Sequence, residues 1–310
     1  MNPETTPHDD IRARALFSAT GALAVLFLIS ALLYGFPERK NLGEEPPPVV
    51  SNAFDEVHLQ AKAAYVFDMR SGEVLYEKNA QVQLPLASLT KLMLAAVAAK
   101  ELDHDKTVTI AKEHLKAEGD SGLKAGERWN LSKLLAFTLL TSSNDGAAAI
   151  ASAYEGLRDE EFVSQMNREA QDLGLSQTYF INSTGLDVNL DLSGGYGSAR
   201  DVAILLGSLV TRHPEVLDAT QEPKLLFSSL SRTLHSGVNT DPLVARLPGV
   251  IGSKTGYTDL AGGNLAFAFD AGLGSPIVAV VLGSTYDGRF ADVERLVAAV
   301  FKNNRKHLQP

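Results

Sequence analysis

The chain has 310 residues, of which 45% are hydrophobic and 21% are charged, and this composition suffices for one large soluble domain or two small ones. Its formal net charge of -9 argues against nucleic acid as a partner. The sequence contains no cysteine, which excludes disulfides, zinc–thiolate sites and thiol catalysis.

The N-terminal region contains a segment long enough to cross a membrane. Residues 15–36 carry no charge, and as a helix they would be about 33 Å long, against about 30 Å for a hydrocarbon core. This segment exceeds the apolar core of a secretory signal peptide, about 7–15 residues, and no convincing small-x-small cleavage site ends it. We therefore expect an uncleaved transmembrane signal anchor. Residues 1–14 would be a cytoplasmic tail, with the rest of the chain on the periplasmic or extracellular side.

A linker and a folded domain follow this segment. Residues 37–52 carry charges and three consecutive prolines, which predicts an extended, Pro-rich linker. The folded domain is predicted to cover residues 53–310. Strand patterns at 63–68 and 73–77 flank a tight turn at its start.

A serine and a lysine three residues apart begin the next, apolar run. On a helix Ser88 and Lys91 would lie on the same face, within hydrogen-bond reach. Pro85 suits the start of that helix, and residues 92–99 are apolar on nearly every side, which indicates a buried helix. Burial favours a neutral lysine, which can accept the serine proton and so activate the serine to attack a carbonyl.

The same spacing recurs at Ser121 and Lys124. About one Ser-x-x-Lys is expected by chance in a chain of this size. The second pair lies in a Gly-rich, charged segment typical of a loop, with no helix to hold the two side chains in register. The spacing alone is therefore weak evidence, and other residues have to decide.

Helical patterns dominate from residue 86 to about 219, and strand patterns follow residue 250. Helices are predicted at 131–140, 145–154, 160–173 and 199–210, strands at 250–257, 263–269 and 276–283, and a last helix at 289–302. We predict an α+β fold in which strands distant in sequence form one antiparallel sheet covered by helices, with an additional helical subdomain. A cleft between the sheet and the helical part would be the natural site.

Two further short motifs lie on these elements. Ser142-Ser143-Asn144 connects two predicted helices and could simply cap the second one. Lys254-Thr255-Gly256 lies within a predicted strand, where the lysine could be a solvated charge. Residues 249–255 are weakly similar to a phosphate-binding loop, but the spacing is wrong and strands follow, so we reject that interpretation.

The order Ser-x-x-Lys, Ser-x-Asn, Lys-Thr-Gly resembles the serine penicillin-binding proteins and serine β-lactamases. A closer resemblance, over roughly residues 61–303, is to the D-alanyl-D-alanine carboxypeptidase family, the low-molecular-mass penicillin-binding proteins. The segments that carry it are 85–93 (PLASLTKLM), 140–145 (LTSSND), 182–187 (NSTGLD), 198–201 (SARD) and 252–258 (GSKTGYT). The resemblance implies a β-lactamase/DD-peptidase-like fold.

The resemblance also implies catalytic roles for four residues. Ser88 would attack the carbonyl of the penultimate D-Ala in a peptidoglycan stem peptide, with Lys91 as its base. Ser142 would relay a proton to the leaving amine, while Asn144 would hold Lys91 and the substrate amide. Lys254 would help to keep Lys91 neutral by like-charge repulsion.

Substrate binding is assigned to the third motif and the residue after it, Lys254, Thr255, Gly256 and Tyr257. Backbone N–H groups of Ser88 and Tyr257 would form the oxyanion hole, and the peptide would lie along the strand as an added strand. Lys254 and Thr255 would meet the terminal carboxylate. The family needs no metal or other cofactor, and the seven histidines show no ligand spacing. The implied partners are the stem peptide, β-lactam inhibitors and, through residues 15–36, the membrane.

Three alternatives stay open beside a carboxypeptidase. The segment after Gly256 is too short for the extra β-rich domain and C-terminal membrane helix of many members, which leaves DD-endopeptidase action on cross-links possible. A class A β-lactamase is less favoured, because the sequence lacks the Glu-x-x-Leu-Asn string that such enzymes use for deacylation. A non-catalytic penicillin-binding or wall-binding module is also less favoured, because all the required polar groups are present.

Overall fold

The computed structural model describes residues 53–154, 159–272 and 274–307. The predicted tail, membrane anchor and linker, residues 1–52, lie outside these residues. Among the helices that are described, none combines the length and apolar character needed to cross a membrane.

Twelve strands are present in the described residues, all paired antiparallel. They are β1 (Ala63–Asp68), β2 (Val74–Lys78), β3 (Leu84–Pro85), β4 (Thr107–Thr109), β5 (Arg128–Asn130), β6 (Tyr179–Phe180), β7 (Gly195–Gly197), β8 (Lys224–Ser228), β9 (Leu234–Val238), β10 (Val250–Thr258), β11 (Gly262–Asp270) and β12 (Pro276–Ser284).

Five of these strands form the central sheet, in the order β10-β11-β12-β1-β2. The first strand of the domain therefore pairs with the last, with Ala63 opposite Leu282. This is the predicted pairing of strands distant in sequence. The arrangement leaves β10, which carries the Lys-Thr-Gly motif, at one edge of the sheet.

Helices cover both faces of this sheet. They are α1 (Thr90–Glu101), α2 (Leu131–Thr141), α3 (Asn144–Ser152), α4 (Asp159–Asp172), α5 (Ala199–Arg212) and α6 (Gly288–His307). Side chains alternate between the faces of a strand, so Val280 packs in the core with α1 and α5, while its neighbour Val281 packs in the core with α6. Helices α1 to α4 follow one another in the chain as the helical part, and the predicted α+β fold is confirmed.

Candidate active site

Ser88 lies in a single 3-10 turn, Ala87–Leu89, that leads directly into α1. Pro85, which we expected just upstream of the helix, lies two residues before this turn and pairs with Tyr196 in the short strand β3. The fixed backbone angle of proline suits a strand at a sheet edge as well as the first turn of a helix. Between Pro85 and the helix, Ala87 adopts a left-handed conformation, φ 49°, which turns the chain sharply just before Ser88.

The Lys91 amine is enclosed by three oxygen atoms. It lies 2.9 Å from Ser88 Oγ, 2.7 Å from Asn144 Oδ1 and 2.7 Å from the Thr184 carbonyl oxygen. The side chain is fully buried, and burial together with the charge of Lys254 holds the pKa of Lys91 well below its usual value. A neutral amine has two N–H bonds and one lone pair. Because the two carbonyl oxygens accept the N–H bonds, the lone pair is left to accept the proton of the Ser88 hydroxyl.

The Ser142-Ser143-Asn144 segment connects α2 to α3. Ser142 adopts a left-handed conformation, φ 59°, at the end of α2, and Ser143 caps α3 by accepting the Gly146 N–H at 2.9 Å. Asn144 Nδ2 donates to the Glu118 carbonyl oxygen at 2.6 Å, which leaves its Oδ1 to face Lys91. The capping role is thus filled by Ser143, while Ser142 and Asn144 contact the two lysines.

Lys254 projects from β10 toward the same point. Its amine donates to Ser142 Oγ at 2.8 Å and to the Thr255 carbonyl oxygen at 2.9 Å. Burial, with a further contribution from the charge of Arg289, lowers the pKa of Lys254 to about 7, while Asp241 acts in the opposite direction. The charge of Lys254 can therefore change within the physiological pH range.

The free edge of β10 faces the Ser88 turn. The Ser253 N–H on that edge donates to Thr220 Oγ1 at 3.1 Å, and because alternate residues of a strand point the same way, the Tyr257 N–H faces the same edge. A Cβ atom on Gly256 would lie only 2.8 Å from the Leu86 carbonyl oxygen and 3.3 Å from the Ser88 nitrogen. Glycine at position 256 therefore permits the strand to pack directly against the turn that carries Ser88. A cavity of about 420 Å³ opens beside Tyr257.

Contacts join Ser88, Lys91 and Asn144 in one set and Ser142 with Lys254 in another, and Gly256 packs on the Ser88 turn. The Thr255 hydroxyl oxygen lies 2.6 Å from that of Thr240, and Tyr257 lies beside the cavity. Sequence reasoning assigned no role to Thr184, whose contribution is a backbone carbonyl, although its segment carries part of the family resemblance. It also missed Arg289, which is buried and donates to the Gly256 carbonyl oxygen at 2.9 Å. The apolar pattern of α6 suggests only packing for that region.

The described residues offer no candidate metal site. In the part of the chain that the structure covers, no group of three or more His, Cys, Asp or Glu side chains is placed to hold a metal ion.

Comparison with known proteins shows which family of proteins this chain is similar to. A family profile described as D-alanyl-D-alanine carboxypeptidase matches residues 50–285. D-alanyl-D-alanine carboxypeptidase DacF of Bacillus subtilis is 33% identical over 81% of this chain and 65% of its own length. The chain thus spans slightly less than two thirds of that relative. A D-alanyl-D-alanine endopeptidase of Pseudomonas aeruginosa is 32% identical over 81% of this chain and 80% of its own.

A solved structure shows the same fold. Penicillin-binding protein D2 of Listeria monocytogenes, in its ampicillin-bound form, matches with a TM-score of 0.68 and 31% identity. The match covers 79% of this chain and 98% of that one.

Proposed function

Because the chain belongs to the D-alanyl-D-alanine carboxypeptidase family, we propose that it is a serine peptidase that cleaves the D-Ala-D-Ala bond of peptidoglycan stem peptides through an acyl-enzyme. The observation that carries this proposal is the buried Lys91 amine, 2.9 Å from Ser88 Oγ, with its other two contacts made to carbonyl oxygens. Such an amine is suited to take the serine proton.

In the acylation step, Ser88 Oγ forms a bond to the carbonyl carbon of the penultimate D-Ala, and its proton passes to Lys91. The N–H groups of Ser88 and Tyr257 stabilise the negative oxygen of the tetrahedral intermediate. The C–N bond then breaks, and the amine of the terminal D-Ala takes up, through Ser142, the proton that Lys91 received from Ser88, so that Lys91 is neutral again. The Lys254 contact to Ser142 Oγ at 2.8 Å supports this relay, because it orients the hydroxyl.

In the deacylation step, water attacks the ester carbonyl, Lys91 accepts a water proton, and Lys91 passes this proton to Ser88 Oγ as the ester bond breaks. The free edge of β10 supports binding of the peptide as an added strand. Lys254 and Thr255 at that edge would bind the terminal carboxylate, since both present hydrogen-bond donors to it. A β-lactam, whose amide mimics the scissile bond, would acylate the same serine.

Residues 15–36 support the further proposal of a membrane-anchored enzyme with its catalytic domain on the periplasmic or extracellular side. This proposal rests on the uncharged sequence of that segment.

A second candidate is DD-endopeptidase action on cross-links, which the relative named as an endopeptidase favours. The two activities use the same chemistry and differ in the leaving group, which is free D-Ala for a carboxypeptidase and a second stem peptide for an endopeptidase. Release of free D-Ala from a monomeric pentapeptide identifies a carboxypeptidase, whereas cleavage of a cross-linked dimer alone identifies an endopeptidase.

The deciding experiment is the intact mass of the full chain after brief exposure to benzylpenicillin, beside Ser88→Ala. We expect one penicillin adduct on the parent and none on the variant, whose thermal unfolding should match that of the parent because only one oxygen is lost. A folded parent without an adduct would support a non-catalytic wall-binding module. Rapid penicillin hydrolysis without a lasting adduct would instead indicate a β-lactamase.

A further inference from the structure

Ser121, from the second Ser-x-x-Lys, belongs to a directed chain of hydrogen bonds beside the active site. Its hydroxyl lies 2.8 Å from Asp145 Oδ2 and 2.8 Å from Ser143 Oγ, and Ser143 Oγ accepts the Gly146 N–H at 2.9 Å. Each hydroxyl has one proton to donate, and a carboxylate only accepts. The chain therefore runs from Gly146 N–H through Ser143 and Ser121 to the carboxylate of Asp145.

The carboxylate at the end of this chain is buried. Asp145 is only 3% exposed, and its Oδ1 has no hydrogen-bond partner in the described residues. Its Oδ2 is held by Ser121, through the hydroxyl at 2.8 Å and the backbone N–H at 3.5 Å. A buried charged oxygen without partners is costly. Because the only hydrogen bonds to the Asp145 carboxylate in the described residues come from Ser121, losing them would leave both of its oxygens without partners. These bonds therefore hold Ser121, and with it the loop at residues 118–122, in place.

This loop determines which way the Asn144 amide faces. The Glu118 carbonyl oxygen, three residues before Ser121, accepts Asn144 Nδ2 at 2.6 Å. A side-chain amide has a donor end and an acceptor end, and a carbonyl oxygen can bind only the donor end. As long as Glu118 stays in place, Asn144 Oδ1 must face Lys91, where it accepts an N–H bond at 2.7 Å.

We propose that Ser121 and Asp145 are positioning residues: by fixing the loop at 118–122 they set the orientation of the Asn144 amide and, through it, that of the Lys91 amine. The inference rests on the proposed function, in which Lys91 is the base for Ser88. According to this inference, Ser121 increases the rate of the reaction without contacting the substrate.

The test is Ser121→Ala in the full chain, with benzylpenicillin acylation separated into non-covalent affinity and the rate of acyl transfer. We expect the acyl-transfer rate to fall about 10–100-fold, the range for partners that orient a functional group, while affinity changes less than about threefold. Ser121→Thr, which keeps the hydroxyl, should recover most of the rate. Lys124→Ala, a change of an exposed side chain in the same segment, is the matched control and should leave the rate unchanged.

A second comparison, in a chain that carries Asn144→Ala, separates an effect on the orientation of Asn144 from a general loss of order around the site. If Ser121 acts through Asn144, Ser121→Ala should cause no further fall in a chain that already carries Asn144→Ala. An equal fall in both backgrounds would overturn the proposal. Should Ser121→Ala reduce the folded yield, Asp145→Ala removes both oxygens that can accept from Ser121, and an unchanged rate in that variant would equally overturn the proposal.

The two proposals fail in different ways. A parent that forms no adduct contradicts the proposed function itself. A parent that is acylated, beside a Ser121→Ala variant acylated at the same rate, contradicts only the role of Ser121.

Discussion

The two Ser-x-x-Lys segments have identical spacing and opposite surroundings. Lys91 is fully buried, with its amine 2.9 Å from Ser88 Oγ, whereas Lys124 is exposed and the Ser121 hydroxyl binds the carboxylate of Asp145. Ser88 and Lys91 are separated by one turn at the start of a helix, which holds them in register. The comparison shows that spacing alone does not bring a serine and a lysine together, and that burial and register are what distinguish the pair proposed to be reactive.

The largest difference should come from removing each lysine in turn. Lys91→Met should slow acylation by benzylpenicillin about 10²–10⁴-fold, the usual contribution of a general base. Lys124→Met should leave the rate unchanged. The rate of adduct formation, followed by intact mass, measures both effects, and similar losses in the two variants would remove the distinction between the segments.

The pH dependence of peptide cleavage should sharpen the comparison. The pKa of Lys91 is held well below its usual value, and loss of a proton from a general base does not lower the rate, so the falling alkaline limb of kcat/KM should come from Lys254, whose pKa is about 7. Above that pH Lys254 loses the charge that we propose binds the substrate carboxylate, and kcat/KM should fall by up to about tenfold per pH unit.

Two variants check the assignment of this limb. Lys254→Arg keeps its charge and should move the limb to higher pH, while the Lys124→Met profile should superimpose on that of the parent. A limb that stays near pH 7 in Lys254→Arg would assign the titration to another group.

The smallest effect should be on stability. Because the pKa of Lys91 is lower in the folded state than its value of 10.5 in the unfolded chain, the unfolded state binds more protons between these two values. The free energy of unfolding of the parent therefore gains a contribution as pH rises through this window. Lys91→Met removes that contribution, so its stability relative to the parent should be higher at pH 7 than at pH 10.

Thermal or denaturant unfolding at the two pH values measures this difference. The stability of Lys124→Met relative to the parent should be the same at both, since its side chain is exposed. A pH-independent effect of Lys91→Met would show that this lysine carries the same charge in the folded and unfolded chain.

The long elements of the fold could be predicted, because each shows its period over many residues. Helices α2 to α5 and the strands β10 to β12 begin within two residues of their predicted positions. The strands β3, β6 and β7 were missed, since two or three residues are too few to show alternation. The hairpin of β8 and β9 was also missed. Its outward face carries Leu226 and Leu234, which are more than 70% exposed, so apolar residues occur on both faces and the alternation is obscured.

The side chains of the site could be predicted for a similar reason. Ser88, Asn144 and Lys254 belong to short motifs in a fixed order, and the motifs carry the resemblance to the family. The carbonyl oxygens of Thr184 and Glu118 could not be predicted, because every residue has a backbone carbonyl and only the folded chain shows which ones face Lys91 and Asn144.

The position of β1 in the sheet also determines at what stage of folding the site can form. β1 lies between β2 and β12, so the central sheet is complete only when β1, from the beginning of the domain, has paired with β12, its last strand. Pairings between segments so distant in sequence form slowly, because a long loop must close before the contact stabilises it. The Ser88 turn comes shortly after β1 and β2 in the chain but packs on Gly256 of β10. The proposed reactivity of Ser88 therefore requires the whole folded domain, and the appearance of a penicillin adduct during refolding would time the moment at which the two ends of the domain pair.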